Sequence, residues 1–117
     1  MPLLNTANVT NMDGTFLGCA SLTSVPLFDT SNVTNMEDLF FSCTSLITIP
    51  LLNTSKVTNM ERVCYDCRNV ESGALALYQQ ASTQAVPPTN HAVAFWHCGK
   101  DTVTGAAELA QIPDDWK

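Results

Sequence analysis

Charge is the scarcest commodity in this chain. Only 14% of its 117 residues are Asp, Glu, Lys or Arg, roughly half the share of an ordinary globular protein. Its surface must therefore be covered by Thr, Ser, Asn and Gln. Basic residues are rarer still, with five Lys and Arg against eleven Asp and Glu and a net charge of −6. A surface that grips phosphates needs the opposite sign, so no nucleic-acid partner is expected. Attraction to an anionic membrane surface is disfavoured for the same reason. No apolar run approaches the roughly 18–20 residues that span a bilayer, so no membrane insertion is expected. No basic stretch followed by an apolar one marks a leader peptide. Hydrophobic residues, at 45%, are as common as in any folded chain, which argues against disorder. The length suits one domain.

What the chain does contain is repetition. Residues 2–25, 26–49 and 50–73 begin PLLNTANVTNM, PLFDTSNVTNM and PLLNTSKVTNM. Pro2, Pro26 and Pro50 are 24 residues apart, as are Met12, Met36 and Met60, and Cys19, Cys43 and Cys67. A period between 20 and 50 residues marks a repeat architecture, whose units bury a continuous core only by stacking.

Within a coil, Leu22-x-x-Val25-x-Leu27 and Leu46-x-x-Ile49-x-Leu51 match the L-x-x-L-x-L spacing of a leucine-rich-repeat strand. Alternation near its end points those side chains inward. Thr30 and Thr54 stand where that motif commonly has Asn, and their hydroxyls are suited to closing a turn. A second apolar series, Val33, Met36, Phe40, Cys43 and Leu46, suits a short extended piece leading into a helical turn capped by Thr34 or Asn35. The expected fold is therefore α/β, a leucine-rich-repeat solenoid of short parallel strands and short helical turns. Its predicted core contains Met12, Met36, Met60, Phe16, Phe40, Cys19, Cys43, Cys67, Cys98, Leu22 and Leu46.

The wording NTANVTNMDGTFLGCASL and DTSNVTNMEDLFFSCTSL, with its V-T-x-M-x-x-x-F-x-x-C-x-x-L core, resembles the bacterial surface repeats called BspA-like. The resemblance covers about residues 2–72. It implies a surface adhesin directed at host matrix proteins or other cells.

The pattern breaks after Val70. ESGALALYQQAST is rich in Ala, Leu and Gln and predicts a helix over about residues 73–82, stopped by Val86-Pro87-Pro88. Residues 91–98 recover the F-x-x-C spacing, with Cys98 31 residues beyond Cys67 rather than 24. Residues 1–72 are thus three regular repeats, and 73–117 an atypical fourth repeat with an inserted helix and a helical C-terminal cap. A second helix is predicted over 104–112, with Leu109, Ile112 and Trp116 closing the core. No cap is visible ahead of the first coil. That coil is expected to stack on upstream repeats of a longer chain or to self-associate.

The cysteines invite a redox or metal reading. Four share one rung of the repeat, and a small buried side chain explains that without chemistry. Cys64-Tyr65-Asp66-Cys67 is a C-x-x-C that zinc or a redox couple uses, yet Cys64 stands where Phe16 and Phe40 stand and no second C-x-x-C exists. His91 and His97 are the only histidines and no nucleophile and orienting acid are placed beside them. No catalytic residue, metal or cofactor is expected.

A face remains. Its columns are Thr23, Ile47 and Glu71; Ser24, Thr48 and Ser72; and Leu4, Phe28 and Leu52. The last is either an exposed apolar stripe or is covered by a neighbouring loop or partner segment. The expected function is a non-enzymatic recognition module, extracellular or on a cell or virion surface, binding a protein or glycan through this face. The alternative is a structural segment, a spacer or stalk of a longer surface protein or of a phage tail appendage.

Overall fold

The computed structural model describes residues 6–117. Coils do stack at the repeat interval, but the chain is not a leucine-rich-repeat solenoid. Among the described residues there is no β-strand and no sheet, only isolated parallel bridges: Asn11 with Asn35, Asn35 with Asn59, Asn59 with Asn90, and Thr48 with Ser72. The helices are α1 (Ala74–Thr83), α2 (Val103–Ala110) and a 3-10 turn, Asp114–Trp116. All lie in the C-terminal part, and none falls inside the described part of the regular coils.

The backbone explains the difference. In the first coil the N–H groups of Thr15, Leu17 and Cys19 close turns onto the carbonyls of Met12, Gly14 and Phe16 at 3.0–3.1 Å. The alternate N–H groups, of Met12, Gly14, Phe16 and Gly18, reach the carbonyls of Asn35, Glu37, Leu39 and Phe41 in the next coil at 2.7–3.0 Å. A strand cannot spend every second N–H on its own turn. Each coil instead runs as a ribbon of overlapping turns, and the second and third coils repeat the scheme. The curling requires left-handed backbone at fixed rungs: Gly14, Asp38, Arg62 and Val93 have φ of 66°, 57°, 53° and 46°. Gly18, Ser42, Asp66 and His97 follow at 70°, 57°, 61° and 55°. For the β-branched Val93 this is a costly conformation that its surroundings must enforce.

Asparagine sets the entry to each ribbon. The Oδ1 atoms of Asn11, Asn35 and Asn59 accept the N–H two residues on, from Asp13, Glu37 and Glu61, each at 2.9 Å. This Asx turn competes with strand geometry and accounts for the repeated T-N-M wording. Threonine forms a second ladder. The hydroxyls of Thr6 and Thr30 donate to the carbonyls of Asp29 and Asn53 in the next coil, at 2.6 and 2.7 Å, rather than closing their own turn.

The core is one continuous column. Val33, Met36, Phe40, Cys43 and Leu46 are fully buried, with Met60, Cys67 and Cys98 below them and Met12 and Phe16 above. Cys19 and Leu22 are only half-buried, because among the described residues a neighbouring coil covers them on one side alone. At the other end α1 packs Ala74, Leu77 and Ala81 inward, and Ile112 and Trp116 are buried while Leu109 packs against the core. Two glycines permit this junction. A Cβ on Gly73, whose φ is 107°, would strike the Ile49 carbonyl, and one on Gly105 would strike the Val70 carbonyl. Thr102 caps α2, its hydroxyl accepting from Gly105 N–H at 2.9 Å and donating to the Val70 carbonyl at 2.8 Å.

Candidate functional site

The Pro-Leu corners decide which side chains face outward. Phe28 N–H bonds the Pro26 carbonyl at 3.0 Å, and Leu52 N–H bonds that of Pro50 at 2.9 Å. These three-residue turns reverse the alternation expected of a strand. Phe28 and Leu52 consequently point inward and are buried, with Phe28 set 6.0 Å from the Phe16 ring. Leu27 and Leu51, expected inside, are 69% and 50% exposed. The apolar stripe is real but lies one residue earlier than the columns suggested. Leu4 lies outside the described residues.

The remaining predicted face residues, Thr23, Ser24, Ile47, Thr48 and Glu71, are all exposed. Ile47 N–H bonds the Thr23 carbonyl at 2.9 Å and Glu71 N–H that of Ile47 at 2.7 Å, so these columns are held in register. Ile47 is 38% exposed.

Leu27 and Leu51 border an open groove of about 600 Å³. Its far wall is α1, which contributes Gln80 and, at its C-terminal boundary, Gln84, one helical turn apart. Gln80 Nε2 donates to the Leu52 carbonyl at 2.6 Å. Gln84 Oε1 accepts the Thr54 hydroxyl at 2.7 Å and its Nε2 donates to the Thr54 carbonyl at 2.8 Å. The helix thus supplies to the third coil the partner that a further coil supplies to Thr6 and Thr30. The first turn of α1 is tied down from α2, Glu108 Oε1 accepting Leu75 N–H at 3.1 Å. Among the described residues the single charged side chain lining the groove is Asp29. The Ser31 hydroxyl and N–H, at 2.6 and 2.9 Å, hold its carboxyl below the usual carboxylate range. The groove therefore offers two exposed leucines, amide groups and one stable negative charge.

Reading the sequence missed both leucines and both glutamines. The repeated Pro-Leu pair was the available signal, since proline at a tight corner reverses the facing of the residues after it.

Three of the thiols, Cys43, Cys64 and Cys67, are poor nucleophiles. Burial pushes Cys43 up to about 11 and raises Cys64 and Cys67 further. Cys43 and Cys67 spend their sulfhydryls on the Phe16 and Phe40 carbonyls, at 3.0 and 2.9 Å. Among the described residues the side chains close enough to share a metal ion are Asp13, Glu37 and Asp38, a set without cysteine or histidine. Asp38 is paired to Arg62 at 2.7 Å. The two histidines are apart in role. His91 bonds the Asp115 carbonyl at 3.0 Å and stacks on Trp116 at 3.9 Å, whereas His97 lies on Trp96 at 3.5 Å. No helix among the described residues is long and apolar enough to cross a membrane.

A second column escaped the sequence reading. Phe41, Tyr65 and Trp96 hold the same rung of successive coils and stack at 4.9 and 4.5 Å with rings 3° and 15° from parallel.

Fold and surface together define a repeat protein, a ladder of stacked turns closed at one end by helices. Residues 2–87 match the family model described as Mycoplasma protein of unknown function, DUF285, and the chain belongs to that family. No curated protein and no solved structure matches the chain.

Proposed function

We propose that the protein is a non-enzymatic recognition module that binds a protein or glycan outside the cell. The observation that carries this reading is the groove between the Pro-Leu corners and α1, with Leu27 and Leu51 left 69% and 50% exposed beside it. Leucines that could turn inward but are held outward by a built corner mark a contact surface more than a packing surface. Ile47, Thr23, Thr48 and Glu71 extend the surface, and they differ from coil to coil while the buried rungs repeat. A spacer would need no such variation, so the structural-segment reading has less support. Resemblance of the repeat wording to BspA-like surface repeats points to adhesion. The buried thiols with raised pKa values, and a His91 held between the Asp115 carbonyl and the Trp116 ring, support a non-enzymatic role.

Binding of the purified chain to immobilised matrix proteins and to a glycan array tests this. A Leu27→Asp, Leu51→Asp double variant, verified as folded by circular dichroism, is expected to lose at least about tenfold in affinity for whatever the parent binds, as two anchors of an interface do. Undiminished binding by that variant would remove the groove as the site. No binding to either panel would turn the reading toward a structural segment.

A further inference from the structure

From the methionine of each coil to the residue before its cysteine, the backbone hydrogen bonds between coils run one way, from an N–H to a carbonyl of the next coil. Met12 reaches Asn35, Met36 reaches Asn59, Met60 reaches Asn90, and the later rungs repeat this. Outside these rungs bonds also run back, at the ribbon's entry from the N–H of Thr34 to the Thr10 carbonyl, and beyond the cysteine from the N–H groups of Ile47 and Glu71 to the carbonyls of Thr23 and Ile47. Over these rungs one side of a ribbon therefore offers only donors to its neighbour and the other only acceptors. A β-strand edge alternates the two. In the first coil the carbonyls of Asn11, Asp13, Thr15 and Leu17 occupy the places that Asn35, Glu37, Leu39 and Phe41 occupy in the second. None of the four receives a backbone donor from the described residues. The side-chain column breaks at the same place. Leu17 is 52% exposed, whereas Phe41, Tyr65 and Trp96, at the same rung, are half-buried in their stack.

We propose that this acceptor edge docks one further coil of the same 24-residue repeat, carried on the same polypeptide. That coil donates N–H groups to Asn11, Asp13, Thr15 and Leu17 and sets an apolar side chain over Leu17. The polarity of the edge selects the occupant. A β-strand would bring its own carbonyls against these carbonyls at alternate positions. A second copy meeting this one head to head would face acceptors with acceptors. Head-to-tail stacking of copies needs the donor edge of the fourth coil, where the Trp116 carbonyl already takes the Phe95 N–H at 2.9 Å and the Trp116 ring covers His91. A coil on a separate chain would also forfeit translational and rotational freedom, which a tethered one keeps. The new contact continues an interface the molecule makes between all its other coils.

The test extends the chain ahead of Pro2 with a copy of residues 26–49, and in parallel with the same 24 residues shuffled. In the copied coil, the amides equivalent to Met36, Asp38, Phe40 and Ser42 are expected to exchange at least about tenfold more slowly than in the shuffled extension. The melting temperature should rise by about 3 °C or more only for the copy, and Leu17→Lys in the extended chain should cut that gain. Both extended chains should sediment as monomers. Equal protection or an equal rise with the shuffled segment, or neither with the copy, would overturn the proposal. A dimer of the unextended chain that Leu17→Lys dissociates would assign the edge to a second copy and overturn it as well.

Discussion

The two ends of the ladder meet opposite demands. At the C-terminal end the last ribbon presents N–H donors, and the chain folds back over them and satisfies that of Phe95. Trp116 supplies a carbonyl to Phe95 and a ring packed against Tyr78, His91 and Phe95. Gln84 does the same for the threonine ladder at its corner. At the N-terminal end the first ribbon presents carbonyls, and among the described residues these remain toward solvent with Leu17 beside them. Stacked turns whose hydrogen bonds point one way cannot be closed by the same device at both ends. A cap that donates is useless where a cap must accept, and the reverse holds equally.

The largest effect expected is at the closed end. Trp116→Ala removes a side chain that is 6% exposed and opens the column beneath it, at a cost of about 3–5 kcal/mol. Urea unfolding checks it, and a loss below ~1 kcal/mol would mean that the 3-10 turn is not the closure. Next comes Gly105→Ala, whose new methyl meets the Val70 carbonyl. Overpacking of this kind costs about 1–3 kcal/mol, seen in the same titration. Thr30→Val sharpens the contrast between interior rungs and ends, because it removes the buried donor and leaves its acceptor, the Asn53 carbonyl, unmet. It should cost about 1–2 kcal/mol, and the same change at Thr6, nearer the open end, should cost less.

Thiol chemistry reports the comparison without a mutation. Cys19 is half-buried in the first coil, while Cys43, Cys64, Cys67 and Cys98 are buried. Labelling of the native protein by a thiol reagent at neutral pH should modify Cys19 first, with the others following only as the protein unfolds. Simultaneous labelling would show that the ladder opens as freely in its middle as at its end. The smallest effect is electrostatic. Glu37 stands with Asp13 and Glu61 in a column of carboxylates, and burial, then a hydrogen bond to Glu61, holds its carboxyl above the ordinary value. A carboxyl raised on folding binds its proton better in the folded state, so its contribution favours folding at low pH and is lost as pH rises through its pKa. Glu37→Gln should therefore flatten the stability profile as pH rises above the ordinary glutamate pKa, with little change at the acid end.

Much of this arrangement was legible from residue order. The 24-residue period, the buried rungs Met36, Phe40 and Cys43, and the inserted helix, predicted over 73–82 and found at Ala74–Thr83, all follow from spacing and composition. So does the second helix, predicted over 104–112 and found at Val103–Ala110. The strands are absent among the described residues. Leu22, Val25 and Leu27 fit a strand by their spacing, yet Leu27 points outward and no ladder of strand bonds forms among the described residues. Apolar spacing reports which side chains turn inward, and a ribbon of turns satisfies nearly the same spacing as a strand. The groove was hidden for a related reason, since one wall comes from α1 and the rest from corners far away in sequence.

The order of residues alone settles that the chain repeats, that its surface is neutral and polar, and that methionine, phenylalanine and cysteine stack in its interior. Whether a coil becomes a strand or a run of turns was decided only in three dimensions. That choice depends on where each N–H finds its carbonyl, and for alternate N–H groups the partner lies in the next coil, on a backbone that must already be in place.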